Sequence, residues 1–219
     1  MSYQRTRIKI CGLTSPDDAL AAVRLGADAL GFIFVRESPR RVEPDAVEKI
    51  SRRLPPLVSR VGVFKDQDPE WICRVVDQCS LHIVQLHGQE SPEYCESLGL
   101  EFIKAFRIKD EGSLQPLGSY HHLASRKAFL LDTFVPGKAG GTGKTFDWHL
   151  AQMASEFAPI ILSGGINPEN VGEAIDRVRP FAVDVSSGIE TAPGKKDPER
   201  MEAFINKVYH ADGRRRHNA

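Results

Sequence analysis

Short apolar segments alternate with longer amphipathic segments along the whole chain. Several short segments, such as IKIC, LGFIF, FLLD and PIILS, are continuously apolar rather than alternating. Such runs are typical of strands that are covered on both faces, as in parallel sheets. The pattern therefore predicts eight strands, at residues 7–11, 29–34, 59–64, 83–86, 101–106, 128–132, 159–163 and 181–185.

Each predicted strand is followed by a segment with helical signals. In the first, Ser15 is placed to cap the helix, Pro16 suits its first position and Gly26 suits its end. The segment at 113–123 is weaker, because Pro116 and Gly118 interrupt it. The other predicted helices are at 15–25, 43–54, 68–79, 92–98, 147–157, 167–178 and 197–209.

This order of elements predicts the fold class. Strict βα alternation favours a parallel sheet, and eight units of roughly 27 residues each can close into a small (βα)8 TIM barrel. A doubly wound open sheet is the alternative, although no G-x-G-x-x-G follows the first strand. We expect one barrel domain over 1–210 and a polar, basic, disordered tail over 211–219.

Composition narrows the class of protein. Lys plus Arg and Asp plus Glu both number 29, and this neutral balance argues against a nucleic-acid binder but not against a small anionic ligand. The four cysteines form no C-x-x-C pair, and we find neither a signal peptide nor an apolar run of about 18 residues. We therefore expect a cytoplasmic protein with free thiols and no membrane association.

Polar and glycine residues cluster where the predicted strands end, which is the edge that carries the active site in a β/α barrel. The seventh and eighth strands lead into Ser163-Gly164-Gly165 and Ser186-Ser187-Gly188. Glycine-rich turns there can bind phosphate through backbone N–H groups, although they could also serve only as turns. Gly141 and Gly143, in a loop without P-loop spacing, could add further donors.

Four side chains at this edge are candidates for chemistry. Cys11 and Asp132 end the first and sixth strands, where a thiol can act as a base and a carboxyl as an acid. Asp132 could instead pair with Lys144 or Arg40. Arg40 could bind a substrate carboxylate, although a solvated surface charge is the common alternative. His87 is a catalytic or a structural histidine, and we expect Asp184 to be structural.

Several motifs, taken in order, resemble the phosphoribosylanthranilate isomerase family over nearly the whole chain. They are KICGLT at 9–14, VQLHG at 84–88, GGTGKTFDW at 140–148, LSGGINPENV at 162–171 and VDVSSGIE at 183–190. KICG, GGTGKTFDW and VDVSSGIE are specific as a set, whereas no single one would be.

The resemblance implies an Amadori rearrangement of N-(5′-phosphoribosyl)anthranilate in tryptophan biosynthesis, without a metal or other cofactor. It implies that Cys11 is the general base and Asp132 the general acid. Arg40 matches the arginine that binds anthranilate. The phosphate ligands match backbone amides around Gly165, Ser186 and Ser187. We expect a monomer whose partner is this phosphorylated small molecule.

Two other interpretations stay open at this stage. One is another phosphate-binding barrel, such as a sugar-phosphate epimerase or indoleglycerol-phosphate synthase. The synthase depends on lysines at strand ends, whereas Lys9 shares the face of Cys11 deeper in the barrel. The other is a non-catalytic phosphate- or nucleic-acid-binding protein that uses the arginines at 214–216, although a solvated tail is the simpler explanation.

Overall fold

A computed structural model describes residues 5–133, 145 and 147–217, the last four of them by backbone alone. Eight parallel strands close into a barrel in chain order, which rules out the open sheet. Each predicted strand is present, and no strand end is displaced by more than two residues. The strands are β1 (Arg7–Cys11), β2 (Ala29–Ile33), β3 (Ser59–Phe64), β4 (Ile83–Leu86), β5 (Phe102–Ile108), β6 (Arg126–Thr133), β7 (Ile160–Leu162) and β8 (Ala182–Val185).

Seven α-helices lie between and after the strands in the described part of the chain. The capping signals operate as predicted: Ser15 accepts a 3.1 Å hydrogen bond from the Asp18 amide, and Gly26 ends the helix at φ 105°. The helices are α1 (Pro16–Leu25), α2 (Pro44–Ser51), α3 (Pro69–Cys79), α4 (Pro92–Ser97), α5 (Trp148–Ala154), α6 (Val171–Val178) and α7 (Pro198–His217).

The connection between β5 and β6 differs from the prediction. It contains a 3-10 helix at Glu111–Ser119 instead of an α-helix at 113–123. Pro116 lies inside this segment. Its ring removes one backbone donor, and Gly118 adds conformational freedom, so both disfavour a regular α-helix.

The start of α6 also differs, because α6 begins at Val171 and not at 167. The side chain of Asn167 accepts hydrogen bonds from the amides of Glu169 and Asn170, at 2.9 and 3.0 Å. Asn side chains that bond the nearby backbone favour turns over helices. The residues before α6 therefore form a braced turn beside the end of β7.

The packed part of the chain extends beyond the predicted boundary at residue 210. Helix α7 continues to His217, and Ala211 and Asp212 are buried. Asp212 accepts hydrogen bonds from the amide and hydroxyl groups of Thr6, at 2.7 and 2.9 Å. The sequence around residue 211 is polar, and for this reason it predicts a disordered tail. Asp212 nevertheless holds the start of β1, so the packed domain extends past residue 210.

After β8 the chain forms a short 3-10 turn at Ser187–Ile189 and then an antiparallel pair of strands. These are β9 (Glu190–Ala192) and β10 (Lys195–Lys196). The 3-10 turn lies at the glycine-rich turn predicted after strand eight, whereas the sequence does not predict the hairpin. It returns Lys196 to the mouth of the barrel, 2.6 Å from the carbonyl oxygen of Cys11.

The inside of the barrel is apolar in its lower half and polar at its mouth. The inner cluster consists of Val61, Ile103, Ala105, Ala128, Leu130, Ile161 and Ala182. Because side chains alternate along a strand, inward positions beyond this cluster point into the mouth. None of the described helices is both long and apolar enough to cross a membrane.

Candidate active site

A cavity of about 330 Å³ opens at the carboxyl ends of the strands, and each of the eight strands or the loop after it contributes to its lining. Its size is at the lower end of the range for small-molecule sites. The cavity brings together the predicted residues Cys11, Arg40, His87, Asp132, Gly164, Gly165, Ser186 and Ser187.

Cys11 lies at the end of β1 and is 5% exposed. Its register partner is Gly31 on β2, where a Cβ would lie only 2.7 Å from the Cys11 sulfur. Burial raises the pKa of the Cys11 thiol, whereas the positive charges of Lys9 and Lys196 act to lower it. The thiol is therefore shielded from water on one side and faces the cavity on the other.

Asp132 lies on β6 and is buried. Its Oδ1 accepts a 2.8 Å hydrogen bond from the amide of Thr133, and its Oδ2 lies 3.5 Å from Nε2 of His87. It does not pair with Arg40, and Lys144 lies outside the described residues. A Cβ on Gly164 would lie 2.6 Å from Oδ1 of Asp132, so this turn approaches the carboxyl group as only glycine allows.

His87 is held in one orientation by Gln85. The amide nitrogen of Gln85 lies 3.0 Å from Nδ1 of His87. An amide NH₂ group only donates, so Nδ1 accepts and the neutral ring carries its proton on Nε2. That nitrogen makes no hydrogen bond within the described structure and faces Asp132. The ring can therefore exchange a proton or a hydrogen bond with the carboxyl group.

Arg40 stands above the end of β1 and is paired with Glu190. Its guanidinium donates from Nε at 2.9 Å and from Nη2 at 2.6 Å to the two carboxylate oxygens. Although burial opposes its ionisation, the hydrogen bond from Arg40 and the charge of Lys196 hold the pKa of Glu190 below its usual value. This pairing fixes the direction of the arginine and leaves part of it lining the cavity.

The wall formed by the loops after β7 and β8 is suited to an anion. Gly165, Ser186 and Ser187 line it, and the hydroxyl of Ser186 is buried without a hydrogen-bond partner in the described structure. Such an orphaned polar atom favours an absent polar ligand. Gly188 supports this wall from behind, because a Cβ there would lie 2.3 Å from the Ile166 carbonyl oxygen.

Two further predicted residues, Gly141 and Gly143, lie outside the described residues. Asp184, expected to be structural, is buried inside the barrel and accepts hydrogen bonds from Lys9 and Ser163. It therefore connects a side chain of β1 with the first residue after β7.

Sequence reasoning missed several residues of the site. Gln85 and Arg107 line the cavity from β4 and β5, and Lys65 lines it from the position directly after β3. Arg107 lies two positions beyond Ala105 of the inner cluster, so strand alternation was a signal that could have identified it. No local pattern pointed to Glu190 and Lys196, because only the hairpin brings them to the end of β1.

Comparisons with known proteins identify the family. The model of the family described as N-(5′-phosphoribosyl)anthranilate (PRA) isomerase matches residues 8–207. The N-(5′-phosphoribosyl)anthranilate isomerase of Geobacter sulfurreducens is 49% identical over 202 residues, which are 92% of this chain and 98% of the relative.

Two solved structures are similar over 94% of this chain and 99% of theirs. One shows monomers of a dimeric phosphoribosylanthranilate isomerase from Thermotoga maritima, with 42% identity and a TM-score of 0.83. The other is a phosphoribosylanthranilate isomerase in complex with reduced 1-(o-carboxyphenylamino)-1-deoxyribulose 5-phosphate, with 43% identity and a TM-score of 0.84. The chain therefore belongs to the N-(5′-phosphoribosyl)anthranilate isomerase family.

Proposed function

We propose that this chain converts N-(5′-phosphoribosyl)anthranilate into 1-(2-carboxyphenylamino)-1-deoxyribulose 5-phosphate, an Amadori rearrangement in tryptophan biosynthesis. The observation that carries the proposal is the placement of Cys11 and Asp132 on different walls of one cavity. On the shorter way around the barrel, β7 and β8 separate β1 from β6. The wall suited to an anion therefore lies between the thiol and the carboxyl group.

Asp132 acts first, as a general acid. A proton passes from its carboxyl group to the ring oxygen of the ribose while the bond from that oxygen to C1′ breaks. The anthranilate nitrogen supplies the electron pair, which gives an open-chain Schiff base. The Thr133 amide holds Oδ1 of Asp132 and Nε2 of His87 faces Oδ2, so the acid is oriented before the substrate binds.

Cys11 acts second, as a general base. Its thiolate takes the proton from C2′, and the electrons of that bond neutralise the protonated Schiff base to give an enolamine. The enolamine then tautomerises to the ketone as its C2′ hydroxyl loses a proton and C1′ gains one. No atom of the substrate is lost and no net electron is transferred, so the proposed sequence needs only proton donors and acceptors.

Binding at the two ends of the substrate fixes the ribose between these groups. We assign the phosphate to Gly164, Gly165 and the Ser186–Gly188 turn, whose orphaned Ser186 hydroxyl supports a polar ligand there. We assign the anthranilate carboxylate to Arg40, whose guanidinium is oriented by Glu190. Because the phosphate holds the molecule at β7 and β8, C2′ lies within reach of β1.

The test is the disappearance of anthranilate-type fluorescence from freshly prepared substrate. Cys11→Ala and Asp132→Asn are each expected to lower kcat by about 10²–10⁴-fold, the usual contribution of an acid–base group. Equilibrium binding of the reduced product analogue should survive both substitutions. An inactive parent chain would contradict the function, whereas fully active variants would contradict only the two assigned roles.

Assembly and location are further parts of the proposal. We propose a monomeric cytoplasmic protein without a nucleic-acid partner, in keeping with the neutral charge balance. Light scattering at several protein concentrations tests the first point. A mass of twice the chain's 24.3 kDa would replace the monomer by a dimer like that described for the Thermotoga relative.

A further inference from the structure

Two side chains of β1 converge on one small space. Lys9 lies two residues before Cys11 and therefore on the same face of the strand. A Cβ on Gly31 would lie 2.7 Å from the Cys11 sulfur and 3.1 Å from the Lys9 ammonium nitrogen. The thiol and the ammonium group thus border the same gap, which only a residue without a side chain leaves open.

An ion pair holds the ammonium group in this place. Lys9 and Asp184 are both almost fully buried, and Nζ donates to Oδ1 at 2.7 Å. The second carboxylate oxygen accepts a 3.1 Å hydrogen bond from the Ser163 hydroxyl. Although burial opposes the charge, Asp184 and Cys11 raise the pKa of Lys9, so its side chain remains protonated.

We propose that Lys9, held by Asp184 and Ser163, is a positioning residue that stabilises the thiolate of Cys11 for proton abstraction. This inference rests on the proposed function, because the proposed reaction requires a thiolate at Cys11. Burial alone would keep Cys11 as a neutral thiol, which is a poor base. A fixed cation beneath the sulfur favours the charged form without exposing it to water.

The other charges around Cys11 make Lys9 the better candidate for this role. The ammonium of Lys196 has three acceptors: the carbonyl oxygens of Cys11 and Ser186 and a carboxylate oxygen of Glu190. These use all three of its protons. Lys9 lowers the pKa of Cys11 more than Asp184 raises it, and Lys196 contributes less. Arg40 is engaged by Glu190, and Asp132 with His87 lies across the cavity.

The pH dependence of the alkylation of Cys11 by iodoacetamide tests the inference without depending on turnover. The rate is measured by mass spectrometry of the peptide that contains Cys11, with the partly exposed Cys73 and the buried Cys79 as internal references. Lys9→Met should move the alkylation profile to higher pH. For each pH unit by which the profile is displaced, the alkylation rate at neutral pH falls about tenfold.

A purely structural role of Lys9 would lower stability without displacing the alkylation profile of the folded protein. Lys104→Met is the matched control, because Lys104 is equally buried and paired with Glu90 at 2.9 Å but is not part of the cavity lining. It should leave the alkylation profile unchanged in the folded protein. Coincident profiles of Lys9→Met and the parent chain would overturn the inference, as would an equal displacement by Lys104→Met.

The pH profile of kcat/KM gives an independent measurement, since it reports the ionisation of the free enzyme. Its rising limb should follow the alkylation profile in the parent chain and in Lys9→Met. If alkylation shifts but kcat/KM does not, Lys9 supports the thiolate but Cys11 is not the base. In that case the base of the proposed reaction is not Cys11, and Lys9 has no part in catalysis.

Discussion

Two buried lysines on different faces of the barrel show how one residue type serves two purposes. Lys9 points into the barrel, where Asp184 fixes it beneath Cys11. Lys104 on β5 is directed to the loop after β4 and donates to Glu90 and, at 2.8 Å, to the carbonyl oxygen of Gly88. Both ion pairs are shielded from water, and only the first adjoins a thiol that lines the cavity.

The difference lies in what each ammonium group touches. Around Lys104 the partners are backbone carbonyls and a carboxylate, and Glu90 in turn accepts from the amides of Asp66 and Gly88. This network braces the turn that carries His87. Lys9 has no such backbone network, and its second neighbour is a thiol whose charge changes during the proposed reaction. Burying a charge costs folding free energy, so each ion pair is expected to have a role. The pair at Lys104 stabilises a loop, whereas the pair at Lys9 serves the proposed reaction.

The largest expected effect is a loss of folding stability, and we expect it when either buried lysine is replaced. Lys9→Met and Lys104→Met each leave a buried carboxylate without its partner, which typically costs about 3–5 kcal/mol. Urea unfolding monitored by fluorescence measures the loss. Similar losses with different alkylation profiles would sharpen the distinction between the sites, whereas no loss in either variant would contradict the description of both pairs as buried.

The lower end of β1 offers a test of packing far from the thiol. Ending the chain after residue 210 removes Asp212 and its two hydrogen bonds to Thr6. Hydrogen bonds to a charged group contribute about 1.5–3 kcal/mol, so the free energy of unfolding should fall by that order. A chain that ends after residue 213 is the control, and it also lacks the arginines at 214–216.

Both shortened chains should retain the kcat of the full chain at a temperature where they are folded. Equal stability of the two would show that residues 211–213 do not hold β1. If both shortened chains are folded but inactive, the missing arginines at 214–216 would instead have a functional role.

A smaller effect is expected at Gly31, where the two side chains of β1 converge. Gly31→Ala places a methyl group against the sulfur of Cys11, and such overpacking costs about 1–3 kcal/mol. Because the thiol must move, kcat should fall together with stability. Gly118→Ala is the matched control, since a Cβ there meets no atom within 4 Å. Unchanged turnover in Gly31→Ala would mean that the position of the sulfur is not critical.

Much of the architecture could be predicted from local signals. Continuous apolar runs located all eight strands, since barrel strands are covered on both faces. Glycine, proline and capping residues located most helix ends. The segment at Glu111–Ser119 forms a 3-10 helix instead of the predicted α-helix, because Pro116 and Gly118 disfavour regular α geometry there. The local signals also misjudged residue 211, because the composition of a helix end does not reveal a buried aspartate contact.

The site was predictable in position but not in its pairings. Cys11 and Asp132 could be placed at the mouth because each ends a strand. Arg40 was a possible partner for Asp132, whereas its actual partner is Glu190, 150 residues further along the chain. Lys196 reaches the carbonyl of Cys11 across 185 residues. Contacts of this kind depend on how loops return to the barrel, and local periodicity carries no information about that.

The most direct test of the central claim is whether Cys11 removes the proton at C2′. The measurement compares the turnover of substrate carrying deuterium at C2′ with that of unlabelled substrate, in the parent chain and in Cys11→Ser. The account predicts that Cys11→Ser turns over about 10²–10⁴-fold more slowly and that deuterium slows the remaining reaction, because proton removal has become the slow step. Parental turnover by Cys11→Ser without an isotope effect would contradict the account.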